Sequence, residues 1–231
     1  MGAAPRVAVV IPVFNERRSL PLVVGDLSRE IVDEVVVVDN GSTDGTDLVA
    51  QGLPVRLVSE PRRGYGSACL AGIAALAPSP PEILVFLDGD YSDHPEELPR
   101  LLEPLRNGYD LVIGSRALGH AEPGALLPQA RFGNRLACFL IRILYGYRYT
   151  DLGPFRAIRW EALQRIGMED TNFGWTCEMQ VKALRRGLRV TEVPVSYRRR
   201  VGVSKITGTV SGTLRAGWKI LWTIGRYALR P

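Results

Sequence analysis

The sequence is poor in residues that carry many kinds of chemistry. It has two histidines, His94 and His120, in 231 residues. A histidine-rich zinc site or a histidine-based nucleophilic triad therefore has little to draw on. The three cysteines, Cys69, Cys138 and Cys177, are odd in number and widely spaced. They lack metal-ligand spacing and read as buried free thiols in a reducing compartment. No run reaches the roughly 18 apolar residues needed to span a bilayer. The opening MGAAPRVAVVIPVF is interrupted by Pro12 and followed by Glu16, so it reads as a first strand rather than a leader. Neither G-x-G-x-x-G nor G-K-[ST] occurs, which removes the signatures of dinucleotide and Walker-type loops. Internal repeats and low-complexity linkers are also missing. These absences predict one domain over residues 1–231 with a continuous core. They place the protein in the cytoplasm, free or peripheral at the cytoplasmic membrane face.

What is present is an ordinary globular balance, 46% hydrophobic and 23% charged, with an uneven charge distribution. The net charge is +5, but residues 1–115 hold 9 Lys/Arg against 17 Asp/Glu, and residues 116–231 hold 20 against 7. Halves of opposite sign suggest separate tasks. An acidic half can hold a cation, and a basic half can face phosphates or an anionic membrane.

Strand-like and helix-like segments alternate through the first half. RVAVVIPVF, IVDEVVVVDN, VRLVSE, EILVFLDGD and YDLVIGSR read as five strands. Residues 16–30 have helical spacing, with Leu20, Val23, Val24 and Leu27 on one face. GYGSACLAGIAALA and HPEELPRLLEPLR read as further helices. Continuous Val/Ile/Leu strands alternating with helices predict a mostly parallel α/β sheet covered on both faces. In the second half, ARFGNRLACFLIRILYG and TCEMQVKALRRG read as helices, the latter closed by Gly187. TDLGPFRAIRWEALQRI reads as a turn followed by a strand or a helix start. LRVTEVPVSYRRR reads as a strand that Pro194 assigns to an edge.

In such a sheet, ligands bind beyond the carboxyl ends of the strands. Three acidic clusters fall at such ends: Glu16, then Asp39 with Asp44, then Asp88, Asp90 and Asp93. Crowded carboxylates repel, and a divalent cation relieves the conflict. Hard oxygen donors suit Mg²⁺ or Mn²⁺, with a substrate diphosphate completing the site. Taken alone, DGDYSD also fits a capping turn, and DNGSTDGT fits any loop.

The order VVIPVFNE, VVVVDNGSTDGT, GYGSACLAGI, FLDGDYSDHPEEL, DLVIGSR resembles the family 2 glycosyltransferases of the GT-A fold. Within them it is similar to the dolichol-phosphate mannose synthase and polyprenyl-phosphate glycosyltransferase group. TDLGPFRAIRWEAL and YRRRVGVSKI extend the likeness over nearly the whole chain. The resemblance implies a nucleotide-sugar site in which Pro12, Glu16 and Asp39 line the base and ribose. Asp88 and Asp90 match the DxD pair, with Asp90 as metal ligand and Asp88 nearer the nucleotide. Ser92 departs from relatives that place a glutamine on the metal there, and Asp93 is an alternative ligand. Gly64, Tyr65 and Gly66 match a loop whose backbone approaches the nucleotide, although the same glycines would serve as ordinary helix-entry residues.

The resemblance also assigns the basic half. Arg198, Arg199, Arg200 and Lys205 match a loop that closes over donor and acceptor; a solvated basic edge is the alternative. Arg116 and Arg131 match ligands of the acceptor phosphate; a helix-surface charge would equally explain Arg131. Arginine suits phosphate through its forked geometry. A hydroxyl acceptor would need a base, for which Asp151 and Glu178 are the candidates. A lipid phosphate is already an anion and needs positioning instead. The arginine excess favours the phosphate. The expected activity is inverting, metal-dependent transfer of a hexose from a GDP-mannose or UDP-glucose type donor to a polyprenyl or dolichyl phosphate. A soluble hydroxyl acceptor and a non-catalytic nucleotide-binding scaffold are the alternatives. In GTLRAGWKILWTIGRYALRP, Leu214, Trp218, Leu221 and Trp222 share a helical face, with Arg215, Lys219, Arg226 and Arg230 as cations. That pattern fits either a bilayer interface or a core-packed terminal helix. No nucleic-acid partner is expected.

Overall fold

The computed structural model describes residues 5–202 and 210–229, with side chains of the second stretch over 217–228. Seven strands form one sheet: β1 (Val7–Val13), β2 (Glu34–Asp39), β3 (Arg56–Ser59), β4 (Ile83–Phe86), β5 (Leu111–Ser115), β6 (Arg156–Arg159) and β7 (Val190–Pro194). Their order is β3-β2-β1-β4-β6-β5-β7. Every pairing is parallel except those of β6, which runs antiparallel to β4 and β5. The helices are α1 (Leu20–Gly25), α2 (Thr46–Gln51), α3 (Tyr65–Leu76), α4 (Leu98–Arg106), α5 (Pro128–Tyr145), α6 (Trp160–Ile166), α7 (Trp175–Arg185) and α8 (Val210–Leu229).

The two-residue period of the strands divides the core into two layers. Ala8, Val10, Val36, Val38, Leu84 and Phe86 face α3, α5, α7 and α8. Val7, Val9, Ile11, Val35, Val37, Ile83 and Val85 face α1 and α4. Phe86 meets Trp175 of α7 edge-on, with ring centroids 5.7 Å apart. Such a pair adds about 0.5–1.5 kcal/mol beyond burial. It also fixes α7 against the strand that carries the DGD sequence. The three cysteines are free and buried, as their spacing suggested.

Two expectations change. The helix expected over residues 16–30 is confined to Leu20–Gly25, because residues 14–18 are drawn into the loop at the sheet edge. Leu20, Val23, Val24 and Leu27 are nevertheless all buried. The strand-or-helix segment at 156–166 is both: β6 runs directly into α6. No sequence pattern announced that β6 would be inserted antiparallel between β4 and β5. Pro194 does lie in the edge strand β7.

Gly72 shows how closely α3 seats on the sheet. A Cβ there would come within 2.6 Å of Val10 and 3.2 Å of Val38, both buried. Gly72→Ala gains about 1 kcal/mol of helix propensity, but overpacking costs about 1–3 kcal/mol. Urea unfolding should therefore show a net loss of up to about 2 kcal/mol; a stabilised variant would contradict this packing.

Candidate active site

Because β1, β2 and β4 are parallel, their carboxyl ends share one edge, and Val13 and Asp39 lie side by side in register. The chain leaves that edge in three loops tied to one another. Asn15, at φ 56°, donates its N–H to Ser42 Oγ (2.9 Å) and accepts from Thr43 N (2.7 Å). Asn40 uses its whole side chain: Nδ2 donates to the Glu60 and Arg62 carbonyls, and Oδ1 accepts from Gly64 N, each at 2.8 Å. These bonds frame a cleft of about 420 Å³. Its floor and walls include Pro12, Glu16, Tyr65, Asp88, Asp90 and Arg200. Phe14 and Arg63 form one rim, the guanidinium lying 3.8 Å from the ring centroid.

The acidic loop after β4 is held in a demanding conformation. Tyr91 follows Asp90 with φ 64°, unfavourable for a bulky residue. Its hydroxyl donates to Asp26 at 2.7 Å, and Arg198 covers its ring at 3.5 Å. Ser92 donates to Asp90 Oδ1 through both N–H (2.9 Å) and hydroxyl (2.5 Å). The other Asp90 oxygen pairs with Arg200 at 3.2 Å, and Arg200 also pairs with Glu16 at 2.8 Å. Asp88 accepts from the Tyr65 hydroxyl at 3.0 Å. Burial, then the Asp90 charge, push the Asp88 carboxyl up to about 7, against the Tyr65 bond and the nearby arginines.

The segment after β7 lies across this loop. Arg198 N donates to the Ser92 carbonyl and Val201 N to the Asp90 carbonyl, at 2.9 and 3.0 Å. That path delivers Arg200 to the carboxylates. Lys205, assigned to the same segment, lies outside the described residues, as do the side chains of Leu214, Arg215 and Arg230.

The remaining assigned residues are spread more widely. Asp39 is buried beside the cleft and accepts from Ser42 N through both oxygens at 3.2 Å. Gly66 does not line the cleft, although its neighbours Gly64 and Tyr65 do. A Cβ on Gly66 would sit 1.9 Å from the Asp170 carbonyl oxygen, so glycine admits another backbone segment there. Arg116 is also outside the lining and is locked by three bonds to Asp151, each 2.8 Å, from its N–H, Nε and Nη2. Arg131 is exposed in the first turn of α5. Neither base candidate lines the cleft. Asp151 is buried and held by Arg116. Glu178 is fully buried and accepts from Glu169 N, Asp170 N, Lys182 Nζ and the Tyr227 hydroxyl. Its oxygens serve the fold, and it does not line the cleft.

Sequence reasoning missed Phe14, Asn40, Arg63, Asn172 and Phe173, all lining the cleft. The last two arrive from a loop 80 residues beyond the acidic one, and only the glycine at 66 hinted at that approach. Asn172 Oδ1 is buried there without a partner among the described residues.

The donor set suits a hard cation. Asp88, Asp90 and Glu16 offer carboxylate oxygens beside the cleft, and a raised carboxyl next to a like charge is the conflict a cation removes. Among the described residues, no three or more His, Cys, Asp or Glu side chains converge as a closed metal cage. Few carboxylates at an open cleft match the Mg²⁺ or Mn²⁺ pattern in which phosphate oxygens complete the shell. Asp93 stands apart. Both its oxygens are buried without a hydrogen-bond partner among the described residues, and burial, then Asp88 and Asp90, push its carboxyl well above the usual range.

The profile of glycosyl transferase family 2 matches residues 8–167. An uncharacterised glycosyltransferase of Mycobacterium tuberculosis is 38% identical over 224 residues, covering 95% of this chain and 99% of its own length. An undecaprenyl-phosphate mannosyltransferase of Micrococcus luteus is 37% identical, covering 90% of each chain. A polyprenol monophosphomannose synthase of Mycolicibacterium smegmatis is 34% identical, covering 88% of this chain and 82% of its own. Among solved structures, glucosyl-3-phosphoglycerate synthase of Mycobacterium tuberculosis, in complex with Mn²⁺, UDP and glucosyl-3-phosphoglycerate, superimposes with a TM-score of 0.79. It covers 98% of this chain and 81% of its own at 23% identity, a likeness of fold. The acidic strand-end cleft, the motifs that build it and these matches lead to one conclusion: the chain is a glycosyltransferase and belongs to glycosyl transferase family 2.

Proposed function

We propose that the protein transfers a hexose from a nucleotide sugar to a polyprenyl phosphate, with inversion at the anomeric carbon and with Mg²⁺ or Mn²⁺ bound. One observation carries the choice of acceptor. Both carboxylates that could have deprotonated a hydroxyl acceptor, Asp151 and Glu178, are committed to structural partners. A phosphate acceptor needs no base. The names of the relatives at 37% and 34% identity point the same way.

Asp88 and Asp90 would hold the cation, and Pro12, Glu16 and Asp39 would border the nucleoside. Once bound, the cation would neutralise the diphosphate and stabilise the leaving oxygen as a Lewis acid. Arg200 now neutralises Asp90 and Glu16; with nucleotide in the cleft it would turn to the phosphate oxygens. Lys205 would add a second cation from the same segment. The acceptor oxygen attacks the anomeric carbon while the bond from that carbon to the diphosphate breaks, and the electron pair leaves with the nucleoside diphosphate. Arg116 and Arg131 would steer the acceptor phosphate. Burial opposes the Arg116 charge, but the paired Asp151 outweighs it and holds its pKa above the usual arginine range. Its direction is thus set before a ligand arrives.

The acceptor's lipid needs a surface. No helix among the described residues is long and apolar enough to cross a membrane. Instead α5 exposes Phe132, Phe139, Ile143 and Leu144, and the adjoining α8 exposes Trp218, Leu221 and Trp222. Arg131, Arg135 and Arg142 on α5 and Lys219 and Arg226 on α8 supply cations. This composition suits peripheral contact with an anionic bilayer.

A donor screen with GDP-mannose and UDP-glucose, Mn²⁺ or Mg²⁺, and a short-chain polyprenyl phosphate tests the reading. Nucleoside diphosphate release should depend on the lipid phosphate; turnover with a soluble hydroxyl acceptor alone would contradict it. Asp90→Asn keeps the partners of Ser92 but removes the charge. Turnover should fall by about 10²–10³-fold, with thermal unfolding nearly unchanged; a near-normal rate would remove Asp90 from the site. Arg131→Gln should raise the acceptor KM by about tenfold, the worth of one charge-assisted hydrogen bond. Its donor KM should stay within about twofold; equal changes in both would remove Arg131 from the acceptor site.

A further inference from the structure

We infer that Lys219 and Tyr227 of α8 are positioning residues for nucleotide binding, acting through Asp170 and Glu178 on the loop that carries Asn172 and Phe173 into the cleft. The inference rests on reading the cleft as the nucleotide site. It starts from a buried carboxylate that the reaction does not use. Glu178 is fully buried in the first turn of α7. Its oxygens accept from Asp170 N at 2.8 Å, Glu169 N at 3.1 and 3.2 Å, Lys182 Nζ at 2.9 Å and the Tyr227 hydroxyl at 2.7 Å. Two of those donors belong to one loop and one belongs to the far helix. Removing a donor leaves a buried charge short of partners, so the loop feels the loss.

A second link runs in parallel. Asp170 Oδ2 pairs with Lys219 Nζ at 2.9 Å, while Oδ1 accepts from Asn172 N at 2.7 Å and Gly174 N at 3.2 Å. Thr223 of α8 packs on the same turn. A Cβ on Gly174 would lie 2.6 Å from its Oγ1 and 2.5 Å from Asp170 Oδ2. The loop leaves this anchor and passes over the start of α3. The Thr171 carbonyl accepts from Ser67 N at 2.9 Å, and Cβ atoms on Gly64 and Gly66 would collide with the backbone of residues 170 and 171. Asn172 and Phe173 then enter the cleft, while Tyr65, at the start of α3, donates to Asp88. The chain of contacts is therefore continuous from α8 to the two surfaces that a nucleotide would touch. Burial and the Glu178 carboxylate push the Tyr227 phenol above its usual range, which keeps it a donor.

Lys219→Met and Tyr227→Phe remove one link each from the full chain. The readouts are the Kd of GDP and of UDP with Mn²⁺ by titration calorimetry, and donor KM against kcat. Ile224→Val trims a buried α8 side chain that makes neither link, and so reports what a merely structural loss does. Each link variant should weaken nucleotide binding by about fivefold or more, the lower end of ordinary site-to-site coupling. The kcat at saturating donor should stay within about twofold, and Ile224→Val should lower the unfolding temperature with Kd unchanged. Link variants with wild-type Kd, or a Kd change matched by Ile224→Val, would overturn the inference. Glu178→Gln adds a separate arm: lost kcat with unchanged Kd would mean a base and would also overturn it. Lys219 is partly exposed, so Lys219→Met carries the test if the buried variants do not fold. If the wild-type chain binds neither nucleotide, the reading of the cleft itself fails, which is a different result from tight binding that the variants leave untouched.

Discussion

Like charge gathered at one sheet edge is the constraint on which the rest of the site depends. Parallel strands β1, β2 and β4 deliver their carboxyl ends to the same side, and each is followed by acidic residues. Water cannot screen the half-buried Asp88 and the buried Asp90 well, so an opposing charge has to come close. In the structure that charge is Arg200, which spans Asp90 and Glu16. The same carboxylates suit a divalent cation, so Arg200 and the cation address the same oxygens. Exchanging one for the other would free a guanidinium at the place where a leaving diphosphate gathers charge. The protein would thereby keep the cluster neutralised both with and without its substrate.

The second organising feature is that the cleft is assembled from distant parts of the chain. The acidic loop, the Asn40 brace and the segment carrying Arg200 come from three regions, and the loop of Asn172 and Phe173 from a fourth. Three of them are fixed by a polar side chain that caps backbone groups: Asn40 for residues 60–64, Asp90 for Ser92 and Glu178 for residues 169–170. Buried polar groups of this kind are costly unless fully paired, and their pairing makes the geometry specific. Glu178 is fully buried and has four bonding partners: two backbone N–H groups, Lys182 and Tyr227.

The parts of this arrangement that could be read from the sequence were those set by local pattern. Unbroken Val/Ile/Leu runs marked the strands of the parallel sheet, and glycine before the apolar helix marked the entry to α3. Acidic residues after strands marked the metal-side edge, since strand direction alone decides where they go. Nothing local marked β6 as antiparallel, because its orientation follows from where α5 returns the chain. Nor did sequence reveal Asn172 or Phe173, which reach the cleft through a backbone crossing over Gly64 and Gly66. The glycines were legible, but not that the backbone of residues 170 and 171 would pack against them. Glu178 shows the same limit: an acid near a glycine-entered helix looks the same whether it faces substrate or a buried turn.

We propose that Asp88 and Asp90 grip a divalent cation that anchors the nucleotide diphosphate. Anomalous diffraction from crystals soaked with Mn²⁺ and a nucleoside diphosphate measures this directly. One manganese peak is expected within bonding distance of Asp90 and of diphosphate oxygens, with Arg200 turned from Asp90 toward the phosphates. A nucleotide seated in the cleft with manganese elsewhere, and Arg200 still paired with Asp90, would contradict it.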